Sequence, residues 1–256
     1  MAKESKKTVS GGSRWRRWVS GLVFAVVGVS SAMAALKVRE FALTDSQFTL
    51  SHDRPGALQI IGLTYASRQK VTRIFATDFD RSIFAIPLEE RRRRLLAVDW
   101  VEDATVSRIW PDRIVVRIRE RKPVAFVFFR AGVLLIDPRG VLLEPPPQAQ
   151  FTYPVLSGIK ENESESQRRD RVRCLLHVQE ELGTQFQEVS EVNASDPDNI
   201  RVVAQVNQAT VELILGDSGF SARFQNFLKH FPEIQKSSPG ARTFDLRLED
   251  RILAED

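Results

Sequence analysis

An α+β protein held by one membrane-spanning helix is the fold class this sequence predicts, and three observations predict it. Residues 19–36 read Val-Ser-Gly-Leu-Val-Phe-Ala-Val-Val-Gly-Val-Ser-Ser-Ala-Met-Ala-Ala-Leu, with no charge. Residues 48–120 order their periodic segments as strand, helix, helix, strand, strand. After Lys122-Pro123 the chain turns to short alternating strands with accessory helices, which predicts a mainly antiparallel β domain. The composition, 43% apolar and 27% charged, is that of a chain folding mostly in water.

As a helix, 19–36 rises about 27 Å at 1.5 Å per residue, close to the ~30 Å hydrocarbon core of a bilayer. Trp15 and Trp18 stand at one edge, where indoles favour the interface, and Lys37 and Arg39 close the other. Lys3, Lys6, Lys7, Arg14, Arg16 and Arg17 precede the run, and basic residues beside a span stay cytoplasmic. Much of the basic excess behind the pI of 9.4 is therefore a topology signal rather than a nucleic-acid surface. The expected organisation is a cytoplasmic tail over 1–18, the membrane helix over 19–36 and a stalk over 37–47. Ala32-Met33-Ala34 also satisfies a signal-peptidase site, so the same run fits a cleaved leader. Under both readings the chain after Leu36 is exported.

Phe48-Thr49-Leu50 and Leu58-Gln59-Ile60-Ile61 are expected strands around a Pro-Gly turn. Residues 67–75 and 87–96 read as helices, the second with Pro87 in its first turn and Glu89 and Glu90 favourable to the helix dipole. Residues 104–109 and 114–120 are strands, and Ile114, Val116 and Ile118 alternate with Arg117 and Arg119. Trp110-Pro111-Asp112-Arg113 joins them, with Pro presetting φ for a type I or II turn. Beyond 122 the expected strands are 124–129, 133–136 and 141–143, the last two joined by Asp137-Pro138-Arg139-Gly140. A helix follows over 168–182 with Gly183 as its cap, then a hairpin of 200–206 and 210–215. Phe224, Phe227, Leu228 and Phe231 form a core stripe on a helix over 221–231 that Pro232 should stop. Thr243-Phe244-Asp245-Leu246-Arg247-Leu248 alternates strictly and predicts a last strand.

Catalytic machinery is hard to find. Gly216-Asp217-Ser218-Gly219 resembles a protease nucleophile motif, but His52, His177 and His230 stand in no matching context, so a strand-to-helix turn explains it better. The histidines show no metal-ligand spacing, and Cys174, the only cysteine, excludes an intrachain disulfide and a cysteine cage. No Gly-rich phosphate cradle is present. The expectation is no enzyme, no cofactor, no metal, no small-molecule substrate and no nucleic acid. The arginine run 91–94 reads as a solvated helix face, with contact to anionic lipid or an acidic partner as the alternative.

Several motifs then converge. Trp100-Val101, Arg108-Ile109-Trp110-Pro111, Glu120-Arg121-Lys122-Pro123-Val124-Ala125, Leu135-Ile136-Asp137 with Gly140, and Pro154, Leu156 and Gly158 occur in one order along the chain. In these the sequence resembles the FtsQ/DivIB family of bacterial division proteins. The resemblance implies a POTRA domain over 48–122, a β domain over 123–254, and a non-enzymatic scaffold in the inner membrane at the division septum. It implies FtsB/DivIC-like and FtsL-like partners, with the bilayer engaged through 19–36 and the N-terminus cytoplasmic. Phe244-Asp245-Leu246-Arg247-Leu248 looks like the family's closing strand, although Glu249, Asp250 and Arg251 depart from its usual turn. A strand edge can accept a partner strand, and on that analogy Phe244, Leu246, Arg247 and Leu248 are the candidate partner-binding residues. Two rivals remain. A transport module would share the POTRA domain, yet no succession of barrel strands of about 9 to 11 residues follows. A membrane-tethered hydrolase would rest on Ser218 alone.

Overall fold

The structure, a computed structural model, describes residues 12–147, 149–248 and 251–255. Lys3, Lys6, Lys7, Glu249 and Asp250, all invoked above, lie outside the described residues. Helix α1 (Gly12–Thr44) contains the expected apolar run, and its stretch Gly21–Thr44 is long and apolar enough to cross a membrane, its most apolar 18-residue window having a mean hydropathy of 1.9 and no residue buried against protein. The stretch expected as a stalk is helical through Thr44. There the Asp45 carboxylate accepts a 2.9 Å hydrogen bond from the Gln47 N–H, a local bond that competes with further helix.

The chain divides into two units, neither contiguous: residues 1–61, 69–95 and 104–118 form the first, and 62–68, 96–103 and 119–256 the second. A three-stranded sheet has β1 (Leu58–Ile61), β2 (Val101–Ile109) and β3 (Arg113–Glu120) in the order β1-β3-β2. β1 and β3 are parallel, Leu58 opposite Ile114 and Ile61 opposite Arg117. Parallel neighbours require a crossover, and α2 (Arg68–Ile74), α3 (Leu88–Leu96) and β2 supply it. This is the strand-helix-helix-strand-strand order expected. Ile114, Val116 and Ile118 are buried while Arg117 and Arg119 are exposed, as their alternation requires.

Two local expectations change in the first unit. Phe48-Thr49-Leu50 is not a strand: Phe48 ends a 3₁₀ turn and Thr49 makes one isolated bridge to Ser82. Its apolar residues are read correctly as core, since Phe48 and Leu50 are buried, but three residues with one bridge form no ladder. Nor is the arginine run a uniform solvated face. Arg91 is buried and forked onto Asp78, Nε at 2.5 Å and Nη2 at 2.8 Å. Arg92 donates to the Ala104 carbonyl at 2.8 Å, and Arg94 pairs with Glu90 across one turn. Consecutive helical residues point about 100° apart, so four in a row cannot share one face. Arg91 falls with Leu95 on the buried side.

In the second unit β4 (Ala125–Phe129), β5 (Gly132–Ile136), β6 (Leu142–Leu143), β7 (Val155–Ser157), β8 (Val189–Asn193), β9 (Ile200–Val206), β10 (Ala209–Gly216), β11 (Thr243–Asp245) and β12 (Leu253–Glu255) form one sheet ordered β12-β11-β10-β9-β8-β7-β4-β5-β6. The pairs β10/β11, β4/β7 and β7/β8 are parallel and the others antiparallel, so the sheet is mostly antiparallel. Helices α4 (Glu165–Leu182) and α5 (Phe220–Ser237) bury Val172, Leu175, Val178 and Leu182, and Phe220, Phe224, Phe227 and Phe231, in one core with the sheet. Ser164 and Gln167 form a capping box at the start of α4, and Gly183, at φ 55°, caps its end. Pro232 does not stop α5, which continues to Ser237. The ring removes one hydrogen bond, while Ile234, beyond it, still packs against the core.

Candidate docking surface

The end of the large sheet is built by pairing residues distant in sequence. β11 lies parallel to β10, Glu212 opposite Thr243 and Ile214 opposite Asp245, and the Leu246 N–H donates to the Ile214 carbonyl at 3.0 Å. β12 then pairs antiparallel to β11, Thr243 opposite Glu255 and Asp245 opposite Leu253, and ends the sheet among the described residues. The strand expected to be last is therefore interior, and the edge at this end of the sheet belongs to β12, β6 being the end strand on the other side. Sequence reasoning missed β12 because Leu253-Ala254-Glu255 is too short to show a period, and Leu253 and Ile252 were the only apolar signals.

The four candidate residues have three different environments. The Phe244 ring packs at 5.1 Å and 6.0 Å from those of Phe227 and Phe231, inside the core. Leu246 is 2% exposed and Leu248 47%. Both line an open groove of about 450 Å³ with Gly219, Ala222, Asn226 and Ile252. Arg247 is half-exposed and points along the surface, Nη2 at 2.6 Å from Asp245 Oδ2 and Nη1 at 2.9 Å from Asn199 Oδ1. The hydrogen bonds from the Arg247 side chain hold the Asp245 carboxyl below its ordinary range against the opposing effect of burial. The groove thus joins apolar lining from Ala222, Leu246, Leu248 and Ile252 to the polar Ser218, Arg223 and Asn226, beside β12, an end strand of the sheet among the described residues. That combination can take an extended peptide with alternate apolar side chains.

Ser218 donates to Asp217 Oδ1 at 2.9 Å, and Gly219 at φ 66° begins α5, which is the turn its sequence suggests. His177 engages Glu181 at 3.2 Å and stacks edge-on to Phe220; His52 stacks edge-on to Phe79. Among the described residues no group of three or more His, Cys, Asp or Glu is placed to hold a metal ion. Cys174 packs against the core, and burial pushes its thiol up.

An apolar N-terminal helix, a small sheet crossed by two helices and a large, mostly antiparallel sheet define a POTRA-bearing α+β protein. The family model for the FtsQ-type POTRA domain matches residues 54–121. The chain belongs to the FtsQ family of cell-division proteins: it is 33% identical over 238 residues to "Cell division protein FtsQ" of Koribacter versatilis (strain Ellin345), covering 91% of this chain and 69% of that one. The protein of the same name from Zymomonas mobilis subsp. mobilis (strain ATCC 31821 / ZM4 / CP4) is 30% identical over 149 residues, 55% of this chain and 46% of that one. Among solved structures, the major extracytoplasmic domain of the trans isomer of the division protein DivIB from Geobacillus stearothermophilus is 21% identical, with a TM-score of 0.27, covering 47% of this chain and 96% of that one.

Proposed function

We propose that this division protein is a non-enzymatic, single-pass scaffold of the inner membrane that links early and late division proteins at the septum. In this reading residues 1–18 are a cytoplasmic tail, 19–36 the anchor, 37–47 the stalk, 48–122 the POTRA domain and 123–254 the β domain. The POTRA and β domains lie outside the cytoplasm and capture FtsB/DivIC-like and FtsL-like partners. The observation that carries the reading is the open β12 edge beside the groove that holds Leu248. Strand addition supplies main-chain hydrogen bonds, and the groove accepts an apolar side chain. Leu248 and Arg247 are the residues of the candidate set that a partner can reach, while Phe244 and Leu246 support them from beneath.

Co-purification of the full chain with its division partners tests the docking surface. Leu248→Glu places a charge where the partner's apolar residue would lie, so capture should be lost while the protein remains folded. Phe128→Glu, at an exposed apolar position of β4, should leave capture intact. Leu246→Glu is unsuitable, because a buried charge would unfold its surroundings. Equal capture by Leu248→Glu and the parent would exclude this surface. Depletion should produce cells that elongate without dividing, and a fluorescent fusion should collect at midcell; normal division after depletion would exclude the scaffold role itself.

A further inference from the structure

Four aromatic rings of the first unit converge at the end of α1. Phe41, on the last turns of the helix, meets Phe48 edge-on at 5.7 Å, and Phe48 meets Phe84 at 5.3 Å and Trp110 at 5.9 Å. Phe84 and Trp110 close the cluster at 5.5 Å. The Ser82 hydroxyl donates to the Ala42 carbonyl at 2.7 Å, fastening the segment that carries Phe84 to the helix. Arg108 donates to the Ile83 and Ile86 carbonyls at 2.6 Å and 2.7 Å, so the strand end leading to Trp110 is held to that same segment. Trp110 nevertheless remains 67% exposed, with Phe41 and Ile109 exposed beside it. The indole packs against Phe48 and Phe84 but keeps about two-thirds of its surface open, more than that packing requires.

The spacing along α1 indicates what covers it. Trp18 and Phe41 are 23 positions apart in one helix, a rise of about 35 Å. That brackets a hydrocarbon core of about 30 Å and leaves each ring in a headgroup layer. On the cytoplasmic side the helix brings its own indoles, Trp15 and Trp18. On the far side residues 37–47 contain no Trp or Tyr, and Lys37 and Arg39 lift that part of the helix to headgroup level. Trp110, reached from Phe41 through a single intervening ring, is the indole available at this level.

We propose that Trp110, with Phe41, Phe84 and Ile109, forms the second interfacial aromatic belt and seats the first unit on the lipid surface. Its partner is the bilayer. The indole takes the interface position that amphipathic rings favour. Because Trp110 sits on a folded turn, its insertion sets the height and tilt of the first unit above the membrane. This inference rests on α1 spanning the bilayer.

The test uses the full chain carrying Trp15→Phe and Trp18→Phe, reconstituted in phosphatidylethanolamine–phosphatidylglycerol vesicles containing a headgroup-spin-labelled phosphatidylcholine. Two indoles remain, Trp110 and the buried Trp100, whose N–H donates to the Glu144 carbonyl at 3.0 Å. The spin label should quench most of the Trp110 emission, aqueous iodide should quench little of it, and adding Trp110→Phe should abolish the lipid-dependent quenching. Quenching by iodide and not by the lipid label would place Trp110 in water, or free for a protein partner, and overturn the proposal. Lipid-dependent quenching that survives Trp110→Phe would overturn it equally. Alkaline carbonate extraction separates the two readings: protein that stays with the vesicles while Trp110 is unquenched refutes the belt alone, whereas protein stripped from them refutes the anchor and the belt together.

Discussion

Asp78 and Arg91 are a buried pair whose value lies in not being broken. Arg91 is 4% exposed and Asp78 fully buried, and the hydrogen bonds that Arg91 donates to the Asp78 carboxylate hold the guanidinium firmly charged. Removing one partner of such a pair strands the other charge and costs about 3 to 5 kcal/mol, whereas apolar replacement of both is often close to neutral. Thermal melts of Asp78→Ala and of Asp78→Leu with Arg91→Met should therefore show the single variant less stable than the double. A double variant that melts lower than the single would contradict this account. Asp245 makes a pH-dependent contribution. Its folded pKa is depressed by Arg247, so its stabilisation is complete above the unfolded value of about 4 and fades as the pH falls through the folded value. Denaturation of Asp245→Asn should show a stability deficit at neutral pH that closes on acidification; a deficit constant across the acid range would rule the linkage out. Alternation in 243–248 did not anticipate Asp245, which is buried beside Phe244 and Leu246; Arg247 bonds both Asp245 and Asn199, and that link exists only because the turn before β9 is brought to the end of β11 with β10 between them.

At the scale of elements, the start of α4 shows how closely a turn can be tied to its neighbour. Gly140 has φ 83°, and a Cβ there would come within 2.6 Å of the Glu165 carbonyl oxygen and 2.7 Å of the Arg169 nitrogen. Both obstacles are backbone. Gly140→Ala should lower stability by more than about 1 kcal/mol, read by urea denaturation, while Gly56→Ala, also at positive φ but in open space, should cost less. Equal losses would mean backbone conformation alone decides. Turn chemistry made Gly140 readable in the sequence; the helix it faces, 25 residues on, was not. Phe224, Phe227 and Phe231 show the same division. Their spacing identifies a buried stripe, yet the continuation of α5 past Pro232 depends on Ile234 meeting the core. β8 and β12 were not anticipated because short strands acquire their identity from the partner they pair with.

For the whole molecule, the open question set by Ala32-Met33-Ala34 has a direct measurement. α1 continues without interruption through this site and on to Thr44. The uncharged run over 19–36 is longer than the apolar core of about 7 to 15 residues usual in a secretory leader, which favours retention. Peptide mapping of the protein from its native membrane should recover residues N-terminal to Ala35; a product beginning at Ala35 would remove the anchor and leave the export reading in place. What the sequence determined by itself was local and periodic: the uncharged helix, the strand-helix-helix-strand-strand order, the buried face of Ile114, Val116 and Ile118, and the family through its motifs. Tertiary structure alone decided which strands end the sheet, which of four consecutive arginines is buried, and which of Phe244, Leu246, Arg247 and Leu248 are exposed. The reason is physical. Periodicity records which side of an element avoids water, whereas an edge, a buried ion pair and a groove exist only once residues far apart in the chain have been brought together.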